Sequence, residues 1–109
     1  MRRIAQVIRL RPEKREEYER LHAEAWPGVL AAIERANIRN YSIWLFEPEH
    51  LLFASFEYHG SNYEADMALL AADPETQRWW ALTDPCQEPL ADRGGDEWWA
   101  NMREVFRHD

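Results

Sequence analysis

Between positions 18 and 33, apolar or aromatic residues fall at 18, 21, 25, 26, 29, 30 and 33, and His22 sits within the same stripe. Three- and four-residue spacing of this kind predicts an amphipathic helix with one buried face. Pro12 stands at its first position, followed by Glu13, Glu16 and Glu17. Proline at that position and acids in the first turn both favour a helix start. Pro27 would lose a hydrogen bond and clash with the preceding turn, so a kink or loosened turn is expected around residues 23–27. The helix should end near Ala36 and Asn37, because asparagine accepts a left-handed cap.

Three other runs carry the β-branched and aromatic enrichment of strands: "RIAQVIRL" (3–10), "NYSIWLF" (40–46) and "LLFASFEY" (51–58). The proline-bearing linker "EPEH" makes the last two a hairpin. With alternating faces, Tyr41, Ile43 and Leu45 point one way and Ser42, Trp44 and Phe46 the other. "SNYE" (61–64) matches a capping box with Ser61 as N-cap and Glu64 three residues on, opening a helix to about Ala71. "DPE" (73–75) restarts a helix with Asp73 as N-cap and Pro74 in its first position, carrying "TQRWWAL". Residues 84–97, with two prolines and Gly94-Gly95, read as an irregular crossing segment. "NMREVFR" (101–107) reads as a last strand, though a helix also fits it.

Strand–helix–strand–strand–helix–strand is the ferredoxin-like order: an α+β fold, one antiparallel sheet with helices on one face. The opposite face then carries Trp44 and Phe46, too apolar to remain in water, and a face-to-face homodimer would cover it.

Composition narrows the functional classes. A chain of 109 residues fits a single domain (1–109) with its own core. A net charge of −7 argues against a nucleic-acid partner, which calls for clustered Lys and Arg. The single cysteine, Cys86, forms no internal disulfide, which suits a reducing compartment. The N-terminal apolar run is short and interrupted by Gln6 and Arg9, and no stretch is long enough to span a membrane. A soluble cytoplasmic protein with no membrane partner is expected.

Phosphate-binding and dinucleotide motifs are missing, and the four histidines show no metal-ligand spacing, so no metal site and no cofactor are expected. His50 in the hairpin turn and His108 at the terminus read as solvated surface. Cys86 has no activating base at hand in sequence. His22 is different. One account makes it a core histidine satisfied by one partner; the other makes it an acid–base group. Tyr18 lies one turn before it, Pro27 disturbs the helix after it, and Tyr41 lies on a strand that packs beneath. Its ordinary pKa of about 6.5 suits proton transfer near neutrality. Trp79 and Trp80 are adjacent in a helix and cannot point the same way, so one can be core while its neighbour lines a cavity. Aromatic faces beside hydroxyls match the apolar face and polar rim of a monosaccharide. Trp98-Trp99 reads as packing or interface.

"EEYERLHAEAWP", "NYSIWL", "HLLFASFE" and "TQRWW", in this order and spacing, resemble the L-rhamnose mutarotase family from about residue 3 to Trp80, with a weaker echo in "REVF". The resemblance implies a cytoplasmic, dimeric ferredoxin-like protein of the α/β-barrel type. It implies exchange of the α and β anomers of a deoxyhexose without metal or organic cofactor. It also implies His22 as the proton donor, with Tyr18, Tyr41, Trp79 and Trp80 contacting the sugar. After Trp80 the chain departs from the family pattern, so the resemblance leaves the preferred sugar open. Two other readings share the architecture: a small dimeric monooxygenase, some of which bind haem through a histidine, and a non-catalytic sugar-binding module.

Overall fold

In the computed structural model, which describes residues 1–109, strand β1 (Arg2–Leu10) pairs antiparallel with β3 (Leu51–Tyr58) from Arg2↔Tyr58 to Arg9↔Leu51. β2 (Ile38–Phe46) flanks β3 on one edge, giving the predicted hairpin. The other edge is shared by two short strands: β4 (Gln87–Glu88) beside Arg9 and Leu10, and β5 (Ala100–Met102) beside Ala5 to Val7. The sheet order β2-β3-β1-β4 is ferredoxin-like, and the fold is α+β as expected.

Alternation along β3 decides which face is covered. Leu52, Ala54, Phe56 and Tyr58 are buried, and Ile4, Ile8 and Leu10 of β1 meet them from the neighbouring strand. The core separates into two clusters. One holds Ile4, Ala36, Ile38, Phe56 and Tyr58; the other holds Ile8, Leu10, Tyr18, Leu52 and Cys86.

The expected kinked helix is two helices. Residues 12–14 form a 3₁₀ turn with Pro12 leading, α1 spans Arg15–Ala23 and α2 spans Pro27–Arg35. Pro27 cannot donate into an ongoing helix, but its fixed φ suits the first position of a new one. Trp26 accordingly turns extended (φ −69°, ψ 135°) as the N-cap of α2. Asn37 takes the left-handed conformation at the end of α2, φ 64°, as its residue type allowed.

β2 starts two residues earlier than its hydrophobic run suggests, because a bulge interrupts it. Register is regular at Ile38↔Tyr58 and Arg39↔Glu57, then resumes at Ser42↔Ser55. Asn40 sits in the irregularity at φ 52°. The extra residue flips the parity of the strand, so Ile38 and the later set Tyr41, Ile43 and Leu45 all face the helices.

α3 (Tyr63–Ala72) and α4 (Pro74–Thr83) complete the second crossover. The N-cap of α3 is Asn62, whose side chain accepts from the Ala65 amide at 3.1 Å. The assignment to Ser61 is therefore corrected by one residue, since asparagine caps as well as serine. Asp73 caps α4 as read, accepting from the Thr76 amide and hydroxyl, both at 2.9 Å. The last strand is confined to Ala100–Met102. Residues 103–109 form neither strand nor helix and are exposed, so the longer strand over 101–107 is not formed. Beyond Met102 that segment offers only Val105 and Phe106 as large apolar side chains, on no buried face. No helix is long and apolar enough to cross a membrane.

Candidate active site

Between the two core clusters lies a cavity of about 490 Å³, reached by Tyr18 and His22 from α1, Tyr41 and Ile43 from β2, and Trp79 and Trp80 from α4. All five candidate residues of the sequence analysis therefore converge on one space. The helix break makes this possible. α1 ends at Ala23, one residue past His22, and Trp26 packs edge-on against Trp79 with ring centroids 5.3 Å apart.

His22 is held in one orientation. Its Nδ1–H donates to the Tyr18 carbonyl oxygen, 2.8 Å away. A carbonyl only accepts, so the proton of the neutral ring is on Nδ1 and Nε2 keeps its lone pair. The ring lies 4.2 Å from that of Tyr18 and edge-on to Trp79 at 5.2 Å. Burial lowers its pKa, and the hydrogen bond to the Tyr18 carbonyl partly offsets this. The imidazole is therefore neutral near pH 7, with a basic nitrogen available.

The two tyrosines differ. Tyr18 is 4% exposed and its hydroxyl accepts from Gln87 Nε2 at 3.0 Å. Burial raises its pKa well above the usual tyrosine range. Tyr41 keeps 39% of its surface accessible, yet its hydroxyl lies among enough protein for burial to push it up to about 12. Both phenols keep their protons at neutral pH and have an O–H to donate. The tryptophans divide as their adjacency required: Trp79 is 7% exposed and Trp80 37%, and both contribute to the wall.

Several lining residues escaped the sequence analysis. Tyr63, Asp84, Gln87 and Asn101 all reach the cavity. Gln87 and Asn101 lie on β4 and β5, strands of two and three residues, too short to leave a periodic signal. Trp98 was read as packing or interface, but it lines the cavity and donates its indole N–H to Gln87 Oε1 at 2.7 Å. Trp99 also lines it, and packs on the Ile8 cluster as read. The segment after Trp80 thus supplies one wall of the site.

The remaining candidates behave otherwise. His50 is half-buried rather than solvated, with Nδ1 enclosed and unpartnered at a left-handed turn position, φ 50°. His108 is exposed. Cys86 is buried with its thiol raised by burial and by the nearby Glu17 carboxylate, so it is not an activated nucleophile. No three His, Cys, Asp or Glu side chains gather as metal ligands.

A half-buried histidine with one free nitrogen, two protonated phenols and aromatic walls thus share one cavity of a small ferredoxin-like α+β protein. A family model for L-rhamnose mutarotase matches residues 3–108. The chain belongs to the L-rhamnose mutarotase family, a family of isomerases acting on carbohydrates. It is 38% identical over 78 residues to L-rhamnose mutarotase of Cronobacter sakazakii, covering 72% of each chain. Over 110 residues it is 32% identical to that of Klebsiella pneumoniae subsp. pneumoniae, covering 95% of each. In fold it is similar to the L-rhamnose mutarotase of Formosa agariphila, with a TM-score of 0.78 at 20% identity and full coverage of both chains. The fold is shared with tetracenomycin F2 cyclase of Streptomyces glaucescens, a type-II polyketide cyclase, at a TM-score of 0.74, 15% identity and coverage of 100% and 98%.

Proposed function

We propose that the cavity exchanges the α and β anomers of L-rhamnose or a close deoxyhexose, with His22 as the group that moves the proton. The observation that carries this reading is the Nδ1–H bond to the Tyr18 carbonyl at 2.8 Å, which leaves Nε2 as a free base among hydroxyls and aromatic rings. Nε2 takes the proton of the anomeric hydroxyl. The electrons of that O–H bond form the C1 carbonyl, and the bond from C1 to the ring oxygen breaks. The imidazolium returns the proton to the ring oxygen, giving the open-chain aldehyde. Rotation about C1–C2 presents the other carbonyl face, and the same steps in reverse close the opposite anomer. General acid–base catalysis of this kind contributes about 10² to 10⁴ in rate. Little more is required, because the reaction proceeds unaided in water.

Tyr18 and Tyr41 donate hydrogen bonds to sugar oxygens, while Trp79 and Trp80 receive its apolar face. The reading also assigns the protein to rhamnose metabolism in the cytoplasm, as a homodimer. An apolar row across the outer sheet face supports the dimer: Val7 pairs with Phe53, which pairs with Trp44. Trp44 is 66% exposed and Phe46 50%. Saturation-transfer NMR of L-rhamnose, comparing α–β exchange with and without protein, tests the activity. Faster exchange is expected, and sugar binding with an unchanged exchange rate would leave only a binding module.

A further inference from the structure

The cavity wall contributed by the segment after Trp80 contains a hydrogen-bond chain with a fixed direction. An indole N–H can only donate, so Trp98 Nε1–H must meet an acceptor, and that acceptor is Gln87 Oε1 at 2.7 Å. This fixes which end of the amide faces which way. Its Nε2 end therefore donates to the Tyr18 hydroxyl oxygen, at 3.0 Å. Gln87 is only 4% exposed, so water does not compete for either contact. Having accepted from Gln87, the Tyr18 hydroxyl directs its own proton elsewhere, and it donates to no protein group.

We propose that Gln87, oriented by Trp98, is a positioning residue that fixes the Tyr18 hydroxyl as a hydrogen-bond donor toward the sugar oxygen beside His22. The same tyrosine accepts from His22 Nδ1–H through its carbonyl, so one residue aligns both the base and the donor. A donor already aimed at an oxygen that gains negative charge as the ring opens costs no reorganisation at that moment. This inference rests on the anomer-exchange reading of the cavity.

The test exploits direction. Gln87→Glu keeps size and shape and still accepts from Trp98, but an ionised carboxylate has no hydrogen to give Tyr18. Tyr18 then donates to Glu and turns its proton away from the sugar. At about pH 8 we expect kcat for anomer exchange to fall by about tenfold to a hundredfold, with a smaller change in KM. That is less than the loss of about 10²–10³ for a donor removed outright, because the Tyr18 hydroxyl is turned and not lost. When the carboxyl is protonated it can again accept from Trp98 and donate to Tyr18, and burial raises carboxyl pKa values. The variant, corrected for uncatalysed exchange, should therefore regain activity toward pH 6, while the wild type does not gain. Asp84, Asp96 and Glu97 line the cavity in both proteins, as do His22 and Tyr18, so the comparison isolates position 87. Trp98→Phe, which keeps the aromatic wall but frees the amide to turn, should lower kcat severalfold without an acid recovery, and decides the matter if Gln87→Glu does not fold. Wild-type rates in both variants, or a reduced Gln87→Glu rate with no acid recovery, would overturn the inference. A wild-type protein that does not accelerate exchange would instead sink the anomer-exchange reading, and this inference with it.

Discussion

His22 Nδ1 lies 2.8 Å from the carbonyl oxygen of Tyr18, one helical turn earlier, and this bond sets both the tautomer and the tilt of the ring. Because α1 ends at Ala23, the ring is carried on the last turn before a break, where a side chain reaches past the helix into the cavity. A histidine on a continuous apolar stripe would be core. Here the helix that carries it ends where the cavity begins.

The pH dependence follows from this environment. Burial lowers the pKa of His22, so the neutral, basic form persists to lower pH than for an ordinary histidine. The acid limb of kcat/KM should fall below the usual value of about 6.5. The same group also affects stability. Its folded pKa is depressed, so the unfolded chain binds the proton more readily, and its contribution is present above the unfolded pKa and lost as pH falls through the folded one. A pH–rate profile with the acid limb above the ordinary value would contradict the burial argument.

The adjacent tryptophans should separate in their effects. Trp79 is buried and touches both His22 and Trp26, so Trp79→Ala should cost about 3–5 kcal/mol of stability and disturb the base as well. Trp80 is partly open, so Trp80→Ala should raise KM for the sugar while melting temperature and kcat change little. Equal loss of stability in both variants, with unchanged sugar affinity, would make the pair core alone.

Much of this arrangement was legible in the chain, for identifiable reasons. The stripe through Tyr18 and His22, the Asp73 cap and the alternation of Tyr41, Ile43 and Leu45 are local patterns with a fixed period, and local patterns survive folding. The bulge at Asn40 was not legible, because the extra residue breaks the period that would have marked Ile38 as strand. Gln87 and Trp98 were missed because their roles come from pairing across distance. Gln87 is 69 residues from Tyr18, and β4 has too few residues to announce itself. Pro27 is legible as a disturbance, but the contact of Trp26 with Trp79, 53 residues further along the chain, is not a local pattern.

Asn62, not Ser61, caps α3, and the two residues should differ in their contribution to stability. Asn62→Ala removes the acceptor for the Ala65 amide and should cost about 0.5–2 kcal/mol, whereas Ser61→Ala should be nearly neutral. Thermal unfolding of both variants checks this, and the reverse ranking would restore Ser61 as the cap.

The outer face of the sheet predicts the oligomeric state. Trp44→Glu places a charge within the apolar row formed with Phe53 and Val7, so it should convert a dimer to a monomer. Sedimentation velocity at micromolar concentration reads this directly. A wild-type monomer under those conditions would refute the dimer.

The central claim is that His22 moves the proton, and His22→Asn measured by saturation-transfer NMR alongside thermal unfolding tests it most directly. Asparagine retains a hydrogen-bonding group of similar reach but does not titrate in this range. The variant should fold with a melting temperature near that of the wild type and still bind L-rhamnose. Its catalysed anomer exchange should fall by about 10² or more, the scale of a lost acid–base group. A stable His22→Asn protein that exchanges anomers at close to the wild-type rate would contradict the account.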